Sequence, residues 1–185
     1  MPIWPTMSRH NNVAIKMKHK AAGFSLIGLV LLFVAGYYWL NPAELQATPA
    51  VDFKIVDGRT LNLKQLQGHP VLVVFWATSC PSCIQEMPHL IELYHELAPR
   101  GLEIIAVAMA YDPPNQVMEM RQRKQIPYPI ALDVQGEVAT AYGNVQQTPT
   151  TFLIDPLGRV VQQTIGRLNM VQLRAELHSL LHKGG

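Results

Sequence analysis

The sequence predicts a layered α/β domain built on a mainly parallel central sheet. Short apolar runs rich in β-branched residues alternate with segments of helical period, the pattern of strands joined by crossover helices. The most apolar of these runs, Val71 to Trp76, leads within four residues to Cys80-Pro81-Ser82-Cys83. Beyond Cys83 the period changes. Ile84, Met87, Leu90, Ile91, Tyr94 and Leu97 recur at helical spacing, so the two cysteines stand where a buried strand hands over to a helix.

Taken in order, the chain opens with a basic tail over 1–20. It carries Arg9, Lys16, Lys18 and Lys20, and the first acidic residue of the sequence is Glu44. Residues 21–40 hold no charge, and as a helix they would extend ~30 Å, the thickness of a bilayer core. Tyr37, Tyr38 and Trp39 at the far end suit an interfacial aromatic belt. The expectation is an uncleaved anchor with a cytoplasmic N-terminus and an exported C-terminal domain. A cleaved signal peptide is the rival, but its apolar core is normally shorter and no Ala-x-Ala site lies nearby. Residues 41–50, with Pro42 and Pro49, read as a linker to a domain over 51–185.

Val51 to Val56 and Arg59 to Leu63 predict a hairpin around Asp57-Gly58, and Leu63 to Gln67 one helical turn. The strand at 71–77 and a helix from about 82 to 98 follow, the helix interrupted by Pro88 and closed by Pro99 and Gly101. Glu103 to Met109 is a second buried strand and Asp112-Pro113-Pro114 a turn. Asn115 to Gln125 is a helix, Pro127 to Leu132 a third core strand, and Glu137 to Tyr142 a short helix. Thr150 to Ile154 and Val160 to Ile165 form an antiparallel hairpin. Asn169 to His182 closes the chain as an amphipathic helix with Val171, Leu173, Leu177, Leu180 and Leu181 facing inward.

The formal net charge is +2 and charged residues make up 15% of the chain, a balance that argues neither for nucleic acid nor for disorder, and no nucleic-acid partner is expected. The chemistry is concentrated in the cysteines, of which the chain has 2. At a helix start, unpaired N–H groups and the positive end of the helix dipole stabilise a thiolate on the first cysteine, and the thiolate is the nucleophile. A zinc site completed by His89 and His95 would need all four ligands on one helix, whereas structural sites usually hold the metal between ligand pairs separated by a loop. A purely structural bridge across so short a loop constrains the unfolded chain little. Dithiol–disulfide exchange is the reading that remains, with no resident metal. Met109, Met118 and Met120 suit flexible core filling better than copper handling, and His69 a surface loop.

Two separated motifs carry a resemblance to a known family. Phe75-Trp76-Ala77-Thr78-Ser79-Cys80-Pro81-Ser82-Cys83 with Pro88, and the distant Gln147-Thr148-Pro149-Thr150-Thr151-Phe152-Leu153-Ile154-Asp155, resemble a thioredoxin-fold protein. More narrowly they resemble the membrane-anchored TlpA/ResA thiol–disulfide oxidoreductases, over about residues 51–183. The resemblance implies a central mixed sheet flanked by helices, with an αβ insertion at about 113–132. It implies Cys80 as the attacking, partly exposed thiol and Cys83 as the buried resolving thiol. Pro149 would be the family's cis-proline, and Trp76, Pro81, Thr148 and Pro149 would line the substrate approach. Thioredoxins proper hold a buried Asp beneath the cysteines, where this chain has Val74. In the TlpA/ResA group a Glu three residues after the second cysteine lies near the site, which makes Glu86 a candidate proton carrier for Cys83; the alternative is a solvated helix Glu. Ser79 departs from the bulky residue that relatives often carry there.

The resemblance further implies an extracytoplasmic domain that exchanges disulfides with protein substrates. Its only redox group would be the Cys80–Cys83 pair, with no other cofactor. Its usual place is as a reductant in cytochrome c maturation or oxidase assembly, re-reduced by a transmembrane thiol reductase. The alternative is a membrane-anchored copper-binding chaperone that uses both thiolates without turnover.

Overall fold

A strand that is buried along its whole length anchors the fold. β3, Val71–Trp76, has all 6 of its residues buried and neighbours on both edges. The computed structural model describes residues 28–33 and 47–183. Within them β1 (Asp52–Lys54) and β2 (Thr60–Asn62) form a separate two-stranded sheet. Around β3 the main sheet has the order β5–β4–β3–β6–β7, with β4 at Glu103–Ala108, β5 at Ile130–Leu132, β6 at Thr150–Ile154 and β7 at Val160–Ile165. The helices are α1 (Pro81–Leu97), α2 (Pro114–Lys124), α3 (Glu137–Ala141) and α4 (Met170–Lys183).

The sheet is mixed rather than mainly parallel. β3 pairs parallel with β4 and β4 with β5, while β6 runs antiparallel to both β3 and β7. The two halves follow from their connections: α1 and α2 supply the long crossovers that parallel neighbours need, and a tight turn joins β6 to β7. Every strand residue alternates face, so β3 serves two cores. Leu72, Val74 and Trp76 pack with Met87, Leu90, Leu93 and Leu97 of α1, Val117 and Met120 of α2, and Leu173 and Leu177 of α4. Val71, Val73 and Phe75 pack with Phe53 and Ile55 of the N-terminal hairpin and with Val138, Ala139 and Tyr142.

Three details differ from expectation, each for a local reason. β5 begins at Ile130 rather than Pro127. Pro127 and Pro129 have no N–H for a ladder, although the Pro129 carbonyl still accepts from Ala106 N. Val171 is 82% exposed; it lies two residues from Leu173, on the far side of the helix, and Met170 takes the inward position instead. The ladder of the hairpin is shorter than its apolar run: beyond Lys54, Ile55 N donates to Arg59 O at the turn while Ile55 also bridges Ala131 of β5. Two of the three methionines serve as core, Met109 buried on one face of the sheet and Met120 on the other, while Met118 is half-buried and belongs to neither core.

Contacts divide the chain into two units, Met1–Glu44 and Leu45–Gly185. In the first, residues 28–33 are helical; the basic tail and the rest of the expected span lie outside the described residues. Among the described residues no helix is long and apolar enough to cross a membrane.

The second core tests how burial and hydrogen bonding divide the stability. Phe75, fully buried, meets Tyr142 and Phe152 edge-on at ring-centroid distances of 5.5 and 5.8 Å. The Tyr142 hydroxyl is buried with no partner among the described residues. Phe75→Ala is therefore expected to cost about 3–5 kcal/mol. Tyr142→Phe removes only a desolvated hydroxyl and is expected to be neutral or stabilising by up to about 1 kcal/mol. Urea unfolding of the two variants reads both values.

Candidate active site

The cysteines sit at the end of β3 because the strand stops there and a proline starts a helix. After Trp76 the loop Ala77-Thr78-Ser79 closes with Cys80 N donating to Ala77 O at 3.1 Å. Cys80 is the N-cap of α1, with extended backbone, and Pro81 takes the first helical position, where its missing N–H costs nothing. Cys80 and Cys83 are joined as a disulfide, their Cα atoms 5.3 Å apart. Cys80 Sγ accepts from Cys83 N at 3.2 Å and lies 3.4 Å from Ser82 Oγ. This sulfur therefore occupies the place where a capping oxygen would sit, facing the unpaired N–H groups of a helix N-terminus.

Exposure separates the two cysteines less than expected. Cys80 is 8% exposed and Cys83 5%, so in the disulfide form the first cysteine is nearly as covered as the second. Ser79 and Pro81 on either side of Cys80 are exposed. The peptide bond between Thr148 and Pro149 is cis. Pro149 is buried, and it lines a cavity together with Cys83, Val74, Trp76, Glu86 and Tyr128. Its carbonyl is already taken by Gly166 N at 2.8 Å. Among the described residues no backbone hydrogen bond engages Thr148, which is half-buried. Trp76 is 3% exposed and lies beneath the cysteines, inside the cavity wall rather than on the approach surface.

Glu86 is buried, 3% exposed, and is not a solvated helix residue. It follows Cys83 by three positions, on the same face of α1. Its Oε1 accepts from Leu168 N at 2.6 Å. Burial pushes the carboxyl above the ordinary Glu value, and the Leu168 N–H, Arg167 and His89 pull it down without cancelling that rise. Tyr128 is raised as well, first by burial and then by the charge of Glu86. The cavity they share with Cys83 measures about 20 Å³, room for about one water. Val74, on the same wall, has no proton to give, so Glu86 brings the only carboxyl to that lining. His89 and His95 are exposed, and the described residues contain no group of three His, Cys, Asp or Glu placed to hold a metal.

One acidic residue near the site carries no functional signal in the sequence. Asp112, read as part of a turn, is 5% exposed. Its Oδ2 accepts from Thr78 N at 2.7 Å and its Oδ1 from Thr78 Oγ1 at 2.5 Å. Asp-Pro-Pro does signal a turn, but nothing in it indicates a buried carboxylate.

A mixed sheet whose central strand delivers a Cys-x-x-Cys disulfide to the first turn of a helix, beside a cis X–Pro bond, defines a thioredoxin-like thiol–disulfide oxidoreductase. The chain belongs to the AhpC/TSA family, whose model matches residues 46–163, and it is similar to thiol–disulfide oxidoreductases named ResA. It is 33% identical to ResA of Geobacillus thermodenitrificans over 90% of this chain and 99% of that protein. It is 40% identical to ResA of Halalkalibacterium halodurans over 76% of this chain and 80% of that protein. A thiol:disulfide interchange protein of the thioredoxin family from Chlorobium tepidum superposes with a TM-score of 0.69 at 25% identity, covering 75% of this chain and 98% of that one.

The raised Glu86 value has a signed consequence. Its folded value lies above the unfolded one, so its contribution to stability is full below the ordinary Glu value of 4.5 and is lost as pH rises through the folded value. Glu86→Gln keeps an acceptor for Leu168 N without the charge. The stability of that variant relative to wild type should therefore rise in urea unfolding as pH increases above the ordinary Glu value of 4.5. A gap that stays constant or shrinks would contradict the buried carboxyl.

Proposed function

We propose that this thiol–disulfide oxidoreductase works outside the cytoplasm, tethered by residues 21–40, as a reductant of protein disulfides in cytochrome c maturation or oxidase assembly. The observation that carries the chemistry is the Cys80 sulfur at the N-terminus of α1, accepting from Cys83 N. The uncharged stretch 21–40, preceded by basic residues, supports the anchor and the exported orientation, and the likeness to ResA proteins supports the assignment to that pathway.

In the reduced protein, Cys80 thiolate attacks one sulfur of a substrate disulfide. A mixed disulfide forms and the other substrate sulfur leaves as a thiolate. The Cys83 thiol then gives its proton to the Glu86 carboxylate and attacks Cys80 Sγ. The second substrate thiolate is released, and the Cys80–Cys83 bond closes. Two electrons have passed to the substrate. An exported compartment is oxidising, so the next cycle needs a membrane dithiol donor to return them. Trp76 and Pro149 shape the cavity behind Cys83, while Thr148 offers backbone and Pro81 surface to an extended substrate segment.

Insulin reduction and reduction of an oxidised Cys-x-x-Cys-His peptide test the reaction. Cys80→Ser should abolish both, and activity that survives it would overturn the reading. Alkylation of Cys80 in the reduced protein should show an inflection below the free-cysteine value of ~8.5. Glu86→Gln should slow exchange by about tenfold or more. Carbonate extraction of membranes should leave the full chain in the pellet, with a C-terminal tag accessible from the exterior side.

A further inference from the structure

The oxidoreductase assignment leaves a buried acid unexplained. Asp112 lies in the loop after β4, which continues the β3–β4 ladder by one bond, Met109 N to Trp76 O at 3.1 Å, and then turns with Asp112 N donating to Met109 O at 2.9 Å. The turn brings the carboxylate against Thr78, two residues before Cys80. Both oxygens are used on that one residue: Oδ2 on its N–H and Oδ1 on its hydroxyl. Gln116 Oε1 stands 3.2 Å from the same hydroxyl.

The ordinary reasons for such an acid do not apply. α2 starts two residues later, but its N-cap is Pro113 and it has no side-chain cap bond. Among the described residues no Lys, Arg or His lies within 4.0 Å of Asp112. A buried carboxylate without a cation is costly unless hydrogen bonds hold it, and here those bonds are spent on the loop that ends at the reactive pair.

We propose that Asp112 is a positioning residue for the Cys80–Cys83 pair: its two bonds to Thr78 hold the loop 77–79 in the register that places Cys80 Sγ at the first turn of α1. Among the described residues the loop is otherwise tied at its ends, by β3 and by Cys80 N on Ala77 O, with Gln116 Oε1 as the one further contact of the Thr78 hydroxyl. Charge-assisted bonds are the strong ones, and a pair on adjacent donors of one residue fixes orientation as well as distance. Loosening them moves the sulfur away from Cys83 N and Ser82 Oγ, the donors that would stabilise its thiolate. The reduced form loses more than the disulfide does.

The test uses the full-length protein, with insulin reduction and equilibration against glutathione as readouts and thermal unfolding as the control. Thr78→Val removes the hydroxyl with little change of volume, Thr78→Ser restores it, and Asp112→Asn leaves one acceptor for two donors. Thr78→Val and Asp112→Asn are expected to slow reduction by about tenfold and to shift the glutathione equilibrium about threefold or more toward the disulfide. Thr78→Ser should stay at the wild-type values. Wild-type rates and equilibrium in both Thr78→Val and Asp112→Asn would overturn the proposal. So would a lower unfolding temperature with the glutathione equilibrium unmoved, since that is the signature of a merely structural bond. Loss of all exchange in wild type itself would instead count against the oxidoreductase assignment.

Discussion

The reactive sulfur is only as well placed as the strand that carries it. β3 is buried on both faces and paired on both edges, in a register that sets Trp76 opposite Ala108 of β4 and Phe75 opposite Thr150 of β6. A one-residue slip would turn every core side chain to the wrong face, so the end of β3 is fixed by two hydrophobic cores at once. The same two neighbours bring the other parts of the site. β4 ends at the loop holding Asp112, and β6 begins just after the cis bond to Pro149. Cysteine pair, carboxylate clamp and proline thus come from three adjacent strands, at the same end of one sheet.

Beneath the cysteines lies a small apolar space whose described lining holds a single carboxyl. In water a Glu is ionised at neutral pH; against Val74, Trp76, Leu90 and Ala106 the charged form loses hydration and the group holds its proton to higher pH. This shift brings an acid nearer to the pH at which a thiol must be deprotonated, which is the requirement for proton exchange between them. Tyr128, pushed up for the same reason, remains neutral and closes the cavity without adding charge.

Much of this was legible in the sequence, and what was hidden has a common cause. The handover from β3 to α1 was readable because hydrophobic period changes abruptly after Cys83. The 113–132 helix and strand and the β6–β7 hairpin followed from period and turn residues. Exposure was less readable. Val171 is apolar yet off the stripe, and Cys80 is nearly as buried as Cys83. Trp76 belongs to the cavity rather than to the surface. Asp112 shows the limit most plainly, because a turn aspartate and a buried bidentate acceptor look alike until Thr78, 34 positions earlier, is brought beside it.

The bond from Leu168 N to Glu86 joins the loop before α4 to the middle of α1. It is one of the influences that hold the carboxyl down against burial. The seating of the C-terminal helix is thereby written into the acidity of a group beside the resolving cysteine. Loss of that one bond would leave the Glu86 carboxyl holding its proton more tightly beside the resolving cysteine.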